Sequence, residues 1–146
     1  MRLIGLVVVV GLAALISAST TLGADMMNAA KTELNTALTH AGFAAQYNTV
    51  AEVELHLHHV VNCLEGLSGK NFNQQAGNVC QGQGNGIFAD LKDSGMAGAH
   101  AMPFAEIADQ VANWGIQQTM AKDVGRAKAA AAAAKAVIQL AIDNFK

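Results

Sequence analysis

Most of this chain has apolar and polar positions that alternate with the period of an α-helix. Between residues 25 and 47, apolar and small side chains recur every three or four positions. They are Met27, Ala30, Leu34, Ala37, Leu38, Ala41, Ala44 and Ala45. Because this spacing places them on one face, it predicts a first amphipathic helix over 25–47.

A second apolar stripe begins directly after Asn48, which ends the first. Thr49 followed by Glu52 has the spacing of a capping box, so a second helix is predicted to begin near Val50. Its stripe consists of Val50, Val53, Leu57, Val60, Val61, Leu64 and Leu67, and Gly66 and Gly69 end it. Since the connection is short, the two helices are predicted to form an antiparallel hairpin.

The next region has almost no apolar periodicity. Residues 66–86 contain six glycines and many Asn and Gln residues, which predicts a long irregular loop. A short helical segment is predicted over 87–93, and residues 94–101 are predicted to be a flexible connection.

Two further helices are predicted in the last third of the chain. Pro103, the only proline, suits the first turn of a helix whose stripe runs to Trp114 and Gly115. A long helix is predicted over 116–145, including the alanine run 129–134, where short side chains favour close helix packing. The fold class is therefore predicted to be all-α, a small four-helix-bundle-like domain with a long Gly/Asn/Gln-rich loop.

The first 24 residues do not belong to this amphipathic pattern. A charged start at Arg2, an apolar stretch over 3–16 and a run of small residues to Ala24 are typical of a signal peptide. We therefore predict a signal peptide over 1–24, cleaved after Ala24 or after Ala18, and a single helical domain over 25–146. An uncleaved membrane anchor is the alternative, because the segment is long enough to cross a bilayer. The predicted location is periplasmic or extracellular.

Two cysteines, Cys63 and Cys80, lie in the predicted mature domain. In an oxidising compartment such a pair is typical of a disulfide, which is predicted here. The chain has no C-x-x-C-H motif, so covalently attached haem is not indicated.

Charge and motifs exclude several functional classes. With 9 Lys and Arg residues against 11 Asp and Glu residues, the chain lacks the basic excess that nucleic-acid binding requires. The glycine-rich segments lack the spacing and strand context of nucleotide-binding loops, and no hydrolase motif is present. We therefore expect a protein that is not an enzyme.

The strongest chemical signal is a group of histidines on the second helix. At 100° per residue, Glu52, His56, His59 and Cys63 share one face. Imidazole is a common ligand of zinc and copper, and two histidines one turn apart can reach a common ion. Because Cys63 is assigned to the disulfide, the predicted ligands are Glu52, His56 and His59, with His40 from the first helix. His58 points elsewhere and is predicted to pair with Glu54 at the surface.

A weaker signal lies in the predicted flexible connection. Met96, His100 and Met102 place two thioethers around an imidazole, a combination that suits copper. Met102 could equally be a hydrophobic plug before Pro103.

These features support two functions of different classes. The first is an exported helical bundle that binds copper or zinc, or less favourably non-covalent haem, for storage, delivery, sensing or electron transfer. The second is a structural or protein-interaction bundle in which the disulfide holds a recognition loop and no cofactor is bound. The expected partner is thus a metal ion or a protein, and the alanine-rich helix allows a homo-oligomer.

Overall fold

The computed structural model describes the backbone from Ile4 to Lys146 and the side chains from Asp25 onward. Within this range the chain forms five α-helices, one 3-10 turn and no strand. The helices are α1 (Ile4–Gln46), α2 (Val50–Glu65), α3 (Ile87–Asp93), α4 (Gly95–Met120) and α5 (Val124–Asn144), and the 3-10 turn is Gln74–Ala76. The all-α prediction is confirmed.

The four long helices surround a core in which large side chains of α2 meet small side chains of its neighbours. α4 packs against α5 and α2, α1 packs against α2 and α5, and α3 lies against α1 and α4. The buried face of α2 carries Val53, Leu57, Val60, Val61 and Leu64. The buried faces of α4 and α5 consist mostly of alanine, which lets these helices approach one another closely.

The predicted hairpin of the first two helices is confirmed. The Thr49 hydroxyl donates to the Glu52 carboxylate at 2.6 Å, and its oxygen accepts from the Glu52 backbone N–H at 3.2 Å. These bonds satisfy a free donor at the start of α2 and fix the point where the helix begins. α1 also extends further toward the N-terminus than the predicted helix over 25–47.

The predicted signal peptide over 1–24 lies outside the residues whose side chains the structure describes. Its export and its cleavage site stay predictions. Over residues 25–146, no helix has an apolar stretch long enough to cross a membrane.

The loop over 66–86 is irregular, as predicted, and it is tied to α2 at several points. The disulfide between Cys63 and Cys80 is present. The buried Asn62 amide donates to the carbonyl oxygens of Asn73 at 2.8 Å and Gly77 at 2.6 Å. Its own oxygen accepts from the Asn73 backbone N–H at 2.7 Å. The loop is therefore held to α2 by a covalent bond and by a fully used buried amide.

Two glycines close the base of this loop. A Cβ on Gly86 would lie 2.7 Å from the Gly66 backbone, closer than real Cβ contacts allow. Both residues have positive φ, 68° at Gly66 and 107° at Gly86, which side chains of L-residues rarely adopt. Glycine is therefore required on both sides of this close backbone approach.

The prediction of a flexible connection over 94–101 is wrong. α4 begins at Gly95 and includes Pro103 in its interior. The physical reason is packing: Ala97, Gly98 and Ala101 bury a small-residue face, and Gly98 lies directly against the backbone of Leu91 in α3.

The prediction of one helix over 116–145 is also wrong. α4 continues through Gly115 to Met120, and α5 begins at Val124, where the Asp123 side chain accepts from the Arg126 backbone N–H at 3.0 Å. Gly115 does not end a helix, because it is buried where α4 meets Leu57 and Ala130. It serves close helix approach rather than termination.

Adding a methyl group at Gly98 tests the contact between α3 and α4. We expect Gly98→Ala to lower the free energy of unfolding by roughly 2–4 kcal/mol, because its Cβ would overlap the Leu91 carbonyl. The measurement is urea unfolding followed by circular dichroism. Gly125→Ala is the control, since its Cβ has room and should add up to about 1 kcal/mol of helix propensity. Equal effects at the two positions would contradict this packing.

Replacing both cysteines by alanine tests the disulfide. Because the bond closes a loop with a sequence separation of 17, its loss should reduce the free energy of unfolding by about 3 kcal/mol. Urea unfolding of the oxidised protein and of the double variant measures this difference. Unchanged stability would show that Asn62 and the glycine contact hold the loop without the covalent bond.

Candidate metal centre

Three histidines from two helices come together at one end of the α1–α2 hairpin. His40 lies on α1, and His56 and His59 lie on α2. The Nδ1 atom of His40 is 2.9 Å from Nδ1 of His56 and 3.1 Å from Nδ1 of His59. One nitrogen from each ring lies within 4.8 Å of the others. The three rings can therefore offer nitrogen ligands to a single ion.

The hairpin itself creates this cluster. His40 lies as far before the end of α1 at Gln46 as His56 lies after the start of α2 at Val50. An antiparallel pair joined by a short turn places such positions side by side. His59 follows His56 by about one helical turn and points to the same side. The position of Asn48 and Thr49 thus fixes which residue of α1 meets the two histidines of α2.

The loop fixes the protonation pattern of His59. Its Nε2 lies 2.8 Å from the carbonyl oxygen of Ala76, which can only accept a hydrogen bond. Nε2 of His59 therefore carries the proton, and Nδ1 of the neutral ring presents a lone pair to His40. Such a bond on the far side of the ring is typical of metal-binding histidines, because it orients the ligand and sets its tautomer.

A single proton on Nδ1 of His40 can satisfy the contacts of this ring with His56 and His59. With a lone pair on His59 Nδ1, the ring of His40 donates through its own Nδ1–H. His56 Nδ1, at 2.9 Å from the same atom, can accept from it as well. The metal-free cluster thus holds one N–H between three converging nitrogens. A metal cation could take the place of that proton, with His40 shifting its proton to Nε2.

The environment keeps the rings of His40 and His56 neutral. Burial and then the nearby His59 and His56 lower the pKa of His40 from 6.5 to about 4. Burial, followed by His59, also lowers the pKa of His56, and the charge of Glu52 acts in the opposite direction. Neutral imidazole is the form that binds metal ions, so His40 and His56 are held in a binding-competent state at neutral pH.

Two aromatic rings cover the outer side of the cluster. The Tyr47 ring stacks on His56 with an interplanar angle of 6° and centroids 5.2 Å apart. Phe43 contacts His56 at 5.2 Å and His40 at 5.6 Å between centroids. Both aromatic side chains are 40% exposed, so the centre lies near the surface and is shielded from water on one side.

Sequence reasoning missed Phe43, Tyr47 and Ala76 as parts of this site. A signal for the aromatic pair was present, because His40, Phe43 and Tyr47 follow the spacing i, i+3, i+7 and therefore share a helix face. No sequence signal pointed to Ala76, since its role depends on how the loop folds back over α2.

The structure places the other predicted ligands apart from the three histidines. Glu52 is hydrogen-bonded to Thr49 at the start of α2, although its charge acts on His56. Cys63, which was predicted to be in the disulfide and not to be a ligand, is bonded to Cys80. His100 is exposed on α4, and Met96 is 73% exposed. Met102 packs against the core, on the side of α4 away from His100. The two residues are two positions apart, and such positions point to nearly opposite sides of a helix.

His58 forms the predicted contact with Glu54, at 4.0 Å between Nε2 and Oε1. It is not a free surface side chain, because it is only 17% exposed and its Nε2 also lies 3.2 Å from the Asn73 side-chain nitrogen. Burial lowers the pKa of His58, and Glu54 partly offsets that effect. His58 thus supports the loop beside the histidine cluster rather than joining it.

Comparison of the chain with protein-family models, with curated proteins and with solved structures found no match.

Acidification tests the electrostatics of the cluster in protein kept free of metal with a chelator. The unfolded chain takes up a proton on His40 near pH 6.5, whereas the folded protein resists it until about pH 4. Unfolding therefore binds protons in this window, and the free energy of unfolding falls as the pH is lowered through it. One imidazole contributes at most about 1.4 kcal/mol per pH unit.

Urea unfolding at several pH values between 6.5 and 4 measures this slope. We expect His40→Gln to reduce the slope, because glutamine does not titrate. His100→Gln, which changes an exposed histidine on α4, is the control for the substitution itself. A slope that is the same in His40→Gln and in the unmodified protein would show that the folded protein does not resist protonation of His40.

Proposed function

We propose that this chain is an exported helical protein that binds a copper or zinc ion through His40, His56 and His59. The observation that carries the proposal is the convergence of three ring nitrogens within 4.8 Å of one another. Three imidazoles leave a further coordination position for water or for a group of another molecule. A single ion suits this arrangement better than haem, because the nitrogens converge on a point rather than border a flat slot.

The donor set favours copper and zinc over hard cations. Imidazole nitrogen suits Zn²⁺ and both oxidation states of copper, whereas Mg²⁺ and Ca²⁺ prefer oxygen. The location near the surface, beside half-exposed Phe43 and Tyr47, supports exchange of the ion with other molecules. We therefore propose storage, delivery or sensing of the ion, without a catalytic reaction, as the role of the site.

Two observations support export. The first 24 residues have the charged, apolar and small-residue parts of a signal peptide. The Cys63–Cys80 disulfide forms and persists in oxidising compartments. We propose that the mature protein acts in the periplasm or outside the cell.

The other candidate function is protein recognition by the loop over 66–86. The disulfide, the Asn62 amide and the His59–Ala76 bond hold this loop in a defined shape. In that case the histidines would serve only to anchor the loop. The two functions differ in whether the purified protein takes up metal.

Metal content tests the proposal directly. The full chain is expressed in a host that exports it, and the purified protein is analysed by elemental analysis and by calorimetric titration with Zn²⁺ and with Cu²⁺. We expect about one equivalent of metal per chain, and below about a tenth of an equivalent in a variant carrying His56→Gln and His59→Gln.

Matched variants separate loss of ligands from loss of fold. His100→Gln changes an exposed histidine and should bind metal as the unmodified protein does. Circular dichroism should show equal helix content in all variants. If the unmodified protein takes up neither ion, the metal proposal is wrong and recognition by the loop becomes the favoured function. Equal binding by the double variant would show that the metal lies elsewhere.

A further inference from the structure

Besides the histidine cluster, the structure contains a pair of buried carboxyl groups between α1, α3 and the end of the loop. Glu33 on α1 is 1% exposed and Asp90 on α3 is fully buried. The Asp90 carboxylate accepts from the backbone and side-chain N–H groups of Asn85, each at 3.2 Å. Glu33 Oε1 accepts from the Gly86 backbone N–H at 3.0 Å. Its Oε2 has no hydrogen-bond partner among the described residues.

The two carboxyl groups are close enough to repel each other strongly when both are ionised. A Cβ on Gly84 would overlap Asp90 Oδ2 and lie 3.0 Å from the carboxyl carbon of Glu33. Within the described part of the chain, neither group forms an ion pair with Lys or Arg. Burial and the neighbouring Asp90 charge raise the pKa of Glu33 to about 8. A bare pair of buried carboxylates is costly, so the site requires a proton or a cation.

A cavity of about 220 Å³ opens onto Glu33. Its walls are formed by the loop residues 66–68, 78, 80–82 and 84–86 together with Asn62. Four loop carbonyls, those of Gln81, Gly82, Gly84 and Asn85, accept no hydrogen bond from the described residues. The cavity therefore lies beside the buried, unpartnered carboxylate oxygen of Glu33 and is bordered by loop residues whose backbone carbonyls have no hydrogen-bond partner among the described residues.

This donor set differs from that of the histidine cluster. Carboxylate and carbonyl oxygens are the ligands that Ca²⁺ takes, in sets of six to eight that include water. The absence of a side chain at Gly84 leaves the two carboxyl groups and the loop backbone close to one point. A cation at this point would remove the repulsion between the carboxylates and use the orphan oxygen of Glu33.

We propose that Glu33 and Asp90, with backbone oxygens of the 81–85 segment, bind a hard divalent cation of the Ca²⁺ type. This site is independent of the proposed copper or zinc site, since the two share no residue. The cation ties the loop to α1 and α3, in addition to the disulfide that ties it to α2. Extracellular Ca²⁺ sites of this kind bind at about 10⁻⁴–10⁻³ M.

Thermal unfolding of the full chain at pH 7.5 tests the proposal, with CaCl₂ at about 5 mM compared with a chelator. We expect Ca²⁺ to raise the unfolding temperature of the unmodified protein by roughly 3–6 °C. In Glu33→Gln the rise should disappear, because the amide brings no negative charge to the cation, while its N–H group can satisfy Asp90 in the metal-free protein. Calorimetric titration with CaCl₂ should give about one site per chain, weakened at least about tenfold in this variant.

Two controls keep the outcome specific. Asp93→Asn removes an exposed carboxylate from the same helix, α3, and should respond to Ca²⁺ as the unmodified protein does. The variant with His56→Gln and His59→Gln should also respond fully, which separates this site from the histidine cluster. The comparison of unfolding temperatures requires that Glu33→Gln unfold cooperatively in the presence of the chelator. If this variant is destabilised, calorimetric titration with CaCl₂ at 15 °C measures its Ca²⁺ binding instead.

The proposal is overturned if Ca²⁺ changes neither the unfolding temperature nor the heat of titration of the unmodified protein. A shared proton between Glu33 and Asp90 would then be the only means by which the pair is stabilised. An equal response in Glu33→Gln would also overturn it, because the bound cation would lie at another group of oxygens.

Discussion

The short connection between α1 and α2 is the constraint on which the rest of the structure depends. Thr49 caps α2 and fixes where that helix begins, so the antiparallel hairpin has one register. That register places His40 beside His56 and His59, and it leaves the apolar face of α2 turned toward α4. A shift of one residue in α2 would rotate its side chains by about 100° and would separate the rings while exposing part of the core stripe.

The second organising feature is the loop over 66–86, which lacks apolar side chains for a core of its own. It is instead held by a disulfide, by the buried amide of Asn62 and by the close approach of Gly66 and Gly86. The loop contains no histidine, so it supplies no imidazole ligand to the histidine cluster. It nevertheless orients His59 through the Ala76 carbonyl, donates the Gly86 backbone N–H to Glu33 and lines the cavity beside that carboxyl group. The loop thus connects two sites of different chemistry, one rich in nitrogen and one in oxygen.

The small residues of α4 and α5 show where local rules were insufficient. Glycine and proline usually mark helix ends, yet Gly98, Pro103 and Gly115 all lie inside α4. Gly98 and Gly115 are there because a neighbouring helix occupies the space that a side chain would need. Relative to alanine, one glycine inside a helix destabilises it by about 1 kcal/mol and one proline by about 3 kcal/mol. The packing of a long helix can outweigh these costs.

The sequence by itself determined the all-α class, the start of α2 at Val50, the irregular loop and the pairing of Cys63 with Cys80. These follow from helical periodicity, a capping box and a single pair of cysteines, all of which act locally or leave one choice. It also indicated His40, His56 and His59 as a group, because helix geometry and a short turn suffice to align them. Only the tertiary structure decided the extent of α4, the tautomer of His59 and the meeting of Glu33 with Asp90. Those depend on contacts between segments far apart in the chain, for which periodicity carries no information.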